Sequence, residues 1–413
     1  MKVTAQQIKK NIFGLSFLVT MYYCGAVMFT ALAPIIIVKI SNNPKLVGLP
    51  ASIFLLAGAL AAYPAGKFMD NIGRMNIIRF GFFLGIIGNL IIRFSIPSSS
   101  LILNIIGLTV LGIAGGIIML IRLAAIDMFE KSKQGKAMGV TLVGAVIGGI
   151  LGPFIFSMLS NVNKLGEVNQ IPWLIGAGIM LIGLLGSLIV YPDPLKIAKT
   201  LKKSETSNHK KLNASNQNNE NPIFRIKGLL SVVFLGACCH AIMVAIMSMC
   251  GFMMSHSGHA HSSIYLAIGI HFVGMFGLMI LVGFLTDKMG YNLSFITGAI
   301  IILASVIGLP FISSVISYSI DMFLLGVGWS FTFVATTVRI STLVPIEYKG
   351  RAMGFHDVLA SLLGAGLSFS GGIILGSMGR QSLMISGSAI MIFLLMLFFV
   401  NQKAQKPQLS EAE

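Results

Sequence analysis

Sulfur and imidazole side chains recur at helical spacing in two neighbouring stretches of this sequence. Cys239, Met243 and Met247 stand four residues apart and Cys250 continues the row by a further turn, so they share one helix face. In the next apolar stretch His271, Met275 and Met279 repeat the interval. On antiparallel helices Met247 and His271 would each lie ~12 Å, and Met243 and Met275 each ~18 Å, from the outer helix ends. Facing rows would then bring three thioethers and an imidazole to one site. Thioether, thiolate and imidazole together favour Cu(I) over hard cations, and thioethers bind without releasing a proton. Met21, Cys24 and Met28 form a third row in the first apolar stretch, and could add a ligand from the opposite half. His256, His259 and His261 fall in the short segment between the two helices, where they could gather metal at the mouth. The same side chains also suit an organic-solute pocket or plain packing, because Met fills irregular helix contacts and an intramembrane His serves as a polar contact.

The elements that hold these residues are membrane spans. The 413-residue chain is 55% hydrophobic and only 10% charged, against about 25% charged in soluble proteins. Twelve stretches approach the ~20 apolar residues a spanning helix needs. They run near 12–38, 47–66, 75–94, 101–121, 137–160, 172–191, 228–254, 263–285, 293–312, 318–340, 352–376 and 382–400. The expected class is an all-α membrane protein. The first apolar run is too long for a signal-peptide core and lacks a small-residue cleavage site behind it, so it is expected to stay as a helix.

The formal charge of +16 is unevenly spread. Lys2, Lys9 and Lys10 begin the chain, Lys67, Arg74, Lys131, Lys133, Lys136, Lys349 and Arg351 fill alternate loops, and the segment 193–227 adds many more. The intervening loops carry scattered ones such as Lys45, Lys164 and Arg380. That asymmetry puts both termini and the central segment in the cytoplasm. It also accounts for the charge without nucleic acid. A bacterial cytoplasmic (inner) membrane is the expected location. The four cysteines all fall in expected helices, against a disulfide framework.

Between the second and third spans lies Gly66-Lys67-Phe68-Met69-Asp70-Asn71-Ile72-Gly73-Arg74-Met75. A weaker copy, Gly283 to Tyr291, contains Asp287 and Gly290. Gly135-Lys136-Ala137-Met138-Gly139 returns as Gly350-Arg351-Ala352-Met353-Gly354, and Arg122 returns as Arg339. The sequence therefore repeats itself: residues 1–192 form one six-helix half, 193–227 a flexible cytoplasmic linker, and 228–413 a second half. Asp70 is costly unpaired at a membrane edge. Its expected partners are Arg122 and the positive end of the eleventh helix near Gly350, with Gly66 and Gly73 giving a tight turn and close helix approach. Tyr291 stands where the first copy has Arg74, so the second latch is expected to be weaker.

The charged turn resembles the inter-helix motif of the major facilitator superfamily. The resemblance implies the major facilitator fold, two pseudo-symmetric six-helix halves that alternate access to a central site. The glycine-dense run Gly144 to Pro153 loosely resembles the antiporter branch's motif, although close helix packing explains it equally well. Met243-x-x-x-Met247 and His271-x-x-x-Met275 resemble the paired motifs of the CcoA-like bacterial copper importers, relatives of riboflavin carriers. That resemblance implies copper uptake, with copper as substrate and no cofactor. The alternative is a small organic solute, either riboflavin-type import or drug/proton antiport. A monomer in the lipid bilayer is expected.

Arg93, Asp321, His356 and Asp357 are further ionisable residues in or near spans, and such residues are functional candidates. Asp357 and Asp321 are candidates for proton coupling, although Asp321 lies near a helix end where it could reach water. No nucleophile–base pair, HExxH helix or phosphate-binding loop is present, so an enzyme or an ATP-driven pump is not expected.

Overall fold

The computed structural model describes residues 4–129, 134–159, 170–200, 226, 228–345 and 348–410. Residues 201–225 of the expected linker lie outside the described residues, as do Lys2, Lys131, Lys133 and Lys164. The regular structure is helical, with no strand among the described residues. The helices are α1 (Ala5–Ser41), α2 (Leu49–Ile72), α3 (Arg74–Ser95), α4 (Leu101–Ile118), α5 (Ile121–Ile126), α6 (Gln134–Leu159) and α7 (Ile171–Gly186). They continue as α8 (Leu229–His256), α9 (His261–Phe272), α10 (Met279–Gly308), α11 (Val315–Leu343) and α12 (Lys349–Ser410), with a π-helical turn, Val273–Gly277, between α9 and α10.

Ten of the described helical segments are long and apolar enough to cross a membrane. The difference from the twelve expected stretches lies in how helices are interrupted. The eighth expected span is split among α9, the π turn and the first part of α10, which breaks at Gly290 (φ +75°). The last two run together as α12, broken only at Gly379 (φ +81°). A single glycine in a conformation closed to other residues turns the chain without ending the run of helical hydrogen bonds.

Local signals set the ends. Ser100 caps α4 by accepting from the Leu103 N–H, and Ser314 and Ser317 form a reciprocal capping box at α11. Gly258 (φ +79°) closes α8, where the His259 N–H reaches back to the Met254 carbonyl.

The chain forms two compact units. One comprises Met1–Phe29 and Leu56–Glu220, the other Thr30–Leu55 and Asn221–Glu413. In the first, α6 lies on α1 because Gly144, Gly148 and Gly152 leave room for the backbone at Ser16, Thr20 and Cys24. The glycine-dense run is thus a packing stripe. In the second, α8 is the enclosed helix, 78% buried over its apolar stretch against 22% for α12. The end of α1 and the start of α2 join this unit: Gly251 meets the Ala31 carbonyl, and the Ser52 hydroxyl donates to the Ala365 carbonyl at 2.8 Å.

Candidate functional site

An aromatic and imidazole ladder runs through the second unit. Trp329, at the midpoint of α11 and 4% exposed, stacks on Phe333 with centroids 4.7 Å apart and planes 19° apart. Phe276 of the π turn meets the Trp329 ring edge-on at 5.6 Å, and Phe333 meets His356 of α12 at 6.5 Å. The Trp329 indole N–H donates to His240 Nδ1 of α8 at 2.7 Å. Because indole only donates, that nitrogen of His240 accepts and the ring proton sits on Nε2. His356 is buried, with Nδ1 3.3 Å from the Asp357 carboxylate and Nε2 without a hydrogen-bond partner among the described residues. Four elements of one unit therefore bring aromatic rings and ring nitrogens together. Such a cluster has the chemistry to stack on planar heteroaromatic rings and to bond their edges.

The neighbours of the sulfur and imidazole rows can be given residue by residue. His271 is fully buried on α9 and its Nδ1 is 2.7 Å from the Met322 carbonyl of α11, so Nδ1 carries the proton and Nε2 a lone pair. That lone pair has no partner among the described residues. Met275 is buried in the π turn, whose backbone lies on Gly326 of α11. Met243 is buried and Met247 half-buried on α8, while Cys239 lies near Tyr291 and Cys250 near Asp321. Met21 is half-buried, Cys24 packs where α1 meets α6, and the Met28 methyl lies against Gly176 of α7. The expected mouth histidines are occupied separately. His259 Nε2 is 2.6 Å from the Ser313 carbonyl, His256 packs on Phe252 at 4.1 Å, and His261 lies near Lys39. Among the described residues no group of three or more His, Cys, Asp or Glu side chains could hold a metal ion.

At the charged turn the contacts differ from those expected. Asp70, 65% exposed, bonds Arg74 at 2.8 Å rather than Arg122. Arg122 donates to the Met119 carbonyl, with its charge near Tyr22 and Tyr23. The guanidinium of Arg74 also bonds Asp127 at 2.7 Å. Asp193 accepts from the backbone N–H groups of Arg74 and Met75 and from that of Leu195, so one carboxylate caps α3 and the helical stretch 194–200 together. Gly73 supplies the turn with φ +111°. Gly66 and Gly283 have open space around them, so close approach there is not the reason for glycine.

In the second copy Gly290 repeats the positive φ, and Arg339 lies over the Tyr291 ring at 5.7 Å. A cation from the fourth helix on an aromatic thus stands where the first copy has a cation from the third helix between carboxylates. Asp287 is exposed and makes no ion pair among the described residues. Arg93, at the other end of α3, rests over the Phe94 ring at 5.3 Å.

Sequence reasoning missed Trp329, Phe333, Asp127 and Asp193. Asp193 had a readable signal, because Asp followed by Pro194 is a helix-start pattern.

A profile of the Major Facilitator Superfamily matches residues 15–369. The uncharacterized MFS-type transporter YddS of Bacillus subtilis is 26% identical over 359 residues, covering 86% of this chain and 82% of the relative. The riboflavin transporter RfnT of Brucella anthropi is 27% identical over 348 residues, covering 84% of each. Among solved structures, a mutant of the nucleoside transporter NupG superposes with a TM-score of 0.74 at 14% identity, covering 94% of this chain and 99% of that one. This last likeness is one of fold.

Proposed function

The chain belongs to the major facilitator superfamily, a multi-pass membrane transporter rather than an enzyme, and on that footing we propose that it carries a planar heteroaromatic solute of the riboflavin type. The Trp329–Phe333 stack, with His240, Phe276 and His356 around it, carries the proposal. Stacking a flat ring on such faces is sequence-tolerant chemistry worth ~1–3 kcal/mol per ring in nucleic-acid complexes. The likeness to RfnT over 84% of the chain supports the same reading. The halves at 1–192 and 228–413 alternate access to the solute, with the charged turns at Asp70 and Asp287 on the cytoplasmic side. The loop charges support a bacterial cytoplasmic membrane location with both termini inside, and the proposal takes the protein as a monomer there.

A second reading, Cu(I) uptake, keeps one specific observation in its favour. His271 offers a buried Nε2 lone pair on the same helical stretch as Met275. Labelled riboflavin and radiocopper uptake, run side by side in cells expressing the chain, separate the two. Riboflavin should accumulate, and Trp329→Ala should abolish most of that accumulation. Copper uptake without riboflavin uptake would transfer the function to the His271 row, and riboflavin uptake indifferent to Trp329 would remove the ladder from the mechanism.

A further inference from the structure

One ring of the aromatic ladder carries an unanswered polar atom. His356 is 3% exposed on α12, in a stripe of buried positions with Ala352 and Ala360 at four-residue spacing. Ala352 belongs to the apolar core that it shares with Val232 and Val233 of α8 and Ile340 of α11. A hydrocarbon ring would fill position 356 among such neighbours without leaving a polar atom to satisfy. The imidazole instead keeps Nε2 buried with no hydrogen-bond partner among the described residues. A polar atom buried in that way is costly, so packing does not account for a histidine here.

The sense of the missing bond is fixed by the atom at the other side of the ring. An ionised carboxylate only accepts, so the Asp357 oxygen 3.3 Å from Nδ1 holds the ring proton there and leaves Nε2 as an acceptor. His240 has the opposite polarity, because the Trp329 indole donates to its Nδ1 and its proton sits on Nε2. Of the two carboxylates singled out in the sequence, Asp321 accepts from the Ser305 hydroxyl of α10 at 2.9 Å, and Asp357 is the one joined to the ladder. The His356 ring is inclined at 60° to Phe333, with centroids 6.5 Å apart, and Phe333 in turn stacks on Trp329. His356 therefore adds a polar tip beside the stack rather than another face.

We propose that His356 selects the solute by accepting a hydrogen bond from a ring N–H at its edge, with Asp357 as the positioning residue that keeps the Nε2 lone pair available. The ligand class narrows to planar heterocycles that carry a lactam or imide N–H, such as the pyrimidinedione ring of a flavin. Nothing is transferred, since the proton stays on the solute and the bond breaks when the solute leaves. The inference rests on the heteroaromatic reading of the ladder. It extends that reading from stacking, which tolerates any flat ring, to discrimination among flat rings. Such discrimination is strong because an analogue without the N–H leaves the buried acceptor unpaired.

The purified full-length protein, titrated by fluorescence quenching with riboflavin and with N3-methylriboflavin, tests it. The wild type should bind the methylated compound roughly 5- to 150-fold more weakly. In His356→Phe the two compounds should bind within about twofold of each other. His356→Gln, whose amide oxygen also accepts, should restore the preference. A penalty from the bulk of the methyl group would persist in the phenylalanine variant, and His240→Phe should keep the preference. Asp357→Leu should erode it and Asp357→Asn, whose amide oxygen still accepts from Nδ1, should return it. This second pair keeps the test open if position 356 rejects phenylalanine. Riboflavin binding with no preference in the wild type, or with a preference unchanged in His356→Phe or in Asp357→Leu, overturns the proposal and leaves the flavin reading standing. Lumazine and its N3-methyl derivative separate the converse case. Lumazine bound with a preference that depends on His356, in a protein that ignores riboflavin, upholds the proposal and overturns the flavin reading. Binding of neither pair overturns both.

Discussion

At the scale of single residues, the informative side chains are those whose hydrogen bonds can be accounted for in full. The Trp329 indole has one donor and spends it on His240, which fixes both rings relative to each other. Trp329→Ala should therefore weaken flavin binding by ~1–3 kcal/mol, roughly 5- to 150-fold, in a fluorescence-quenching titration. Trp329→Phe should recover most of the stacking while leaving His240 Nδ1 without its donor. Asp193 is a second such residue, because two helix starts depend on its carboxylate. Losing a cap costs ~0.5–2 kcal/mol, so Asp193→Ala should lower the thermal midpoint of the purified protein more than Asp70→Ala. The Asp70–Arg74 bond is 65% exposed on its acidic side, and such pairs contribute ~0–1 kcal/mol. Little of this was legible from residue type alone, although Asp193 followed by Pro194 is a helix-start pattern. A tryptophan or phenylalanine in an apolar helix looks the same whether it faces lipid, core or solute, and Asp193 hid at the edge of a polar linker. His271 was found by its chemistry, but the sequence could not say that its ring would be held by α11.

At the scale of elements, hydropathy carried the reading almost unaided, because a bilayer leaves helices as the workable solution for long apolar segments. What it missed was the π turn at Val273–Gly277, which has no composition signal, whereas the breaks at Gly290 and Gly379 fall in the gaps between expected stretches. The repeat did predict the paired glycines. Gly73 and Gly290 share backbone angles near φ +75° to +111° with extended ψ, a region essentially reserved for glycine. Gly290→Ala meets no neighbouring atom, so its cost isolates the backbone term at ~1–3 kcal/mol. Gly73→Ala should cost more, because its new methyl would also press on the Asp193 carboxylate. That excess should disappear in an Asp193→Ala background, as a double-mutant cycle by chemical denaturation would read. The Gly144–Gly148–Gly152 stripe makes a sharper case. Gly148→Leu would drive α6 off the α1 backbone at Thr20, and should abolish a well-folded, monodisperse preparation.

At the scale of the whole molecule, two compact units and the asymmetric loop charges describe a transporter whose orientation can be tested directly. Single cysteines placed at 201–225 should be labelled by membrane-impermeant reagents only after the cytoplasmic face is opened, and labelling of intact cells would refute the assigned topology. The twofold character was readable because the repeated turns kept both their glycines and their acids. The proposed solute site was not readable in the same way, since its rings come from four separate elements of the chain. One consequence concerns how the molecule could be cut in two. With Asp193 knotted to the start of α3, a polypeptide ended at residue 192 would forfeit a fastening of its own third helix, whereas one ended after residue 200 would retain it. Two-plasmid complementation should accordingly succeed with the later scission and falter with the earlier, even though both fall between the same pair of spans.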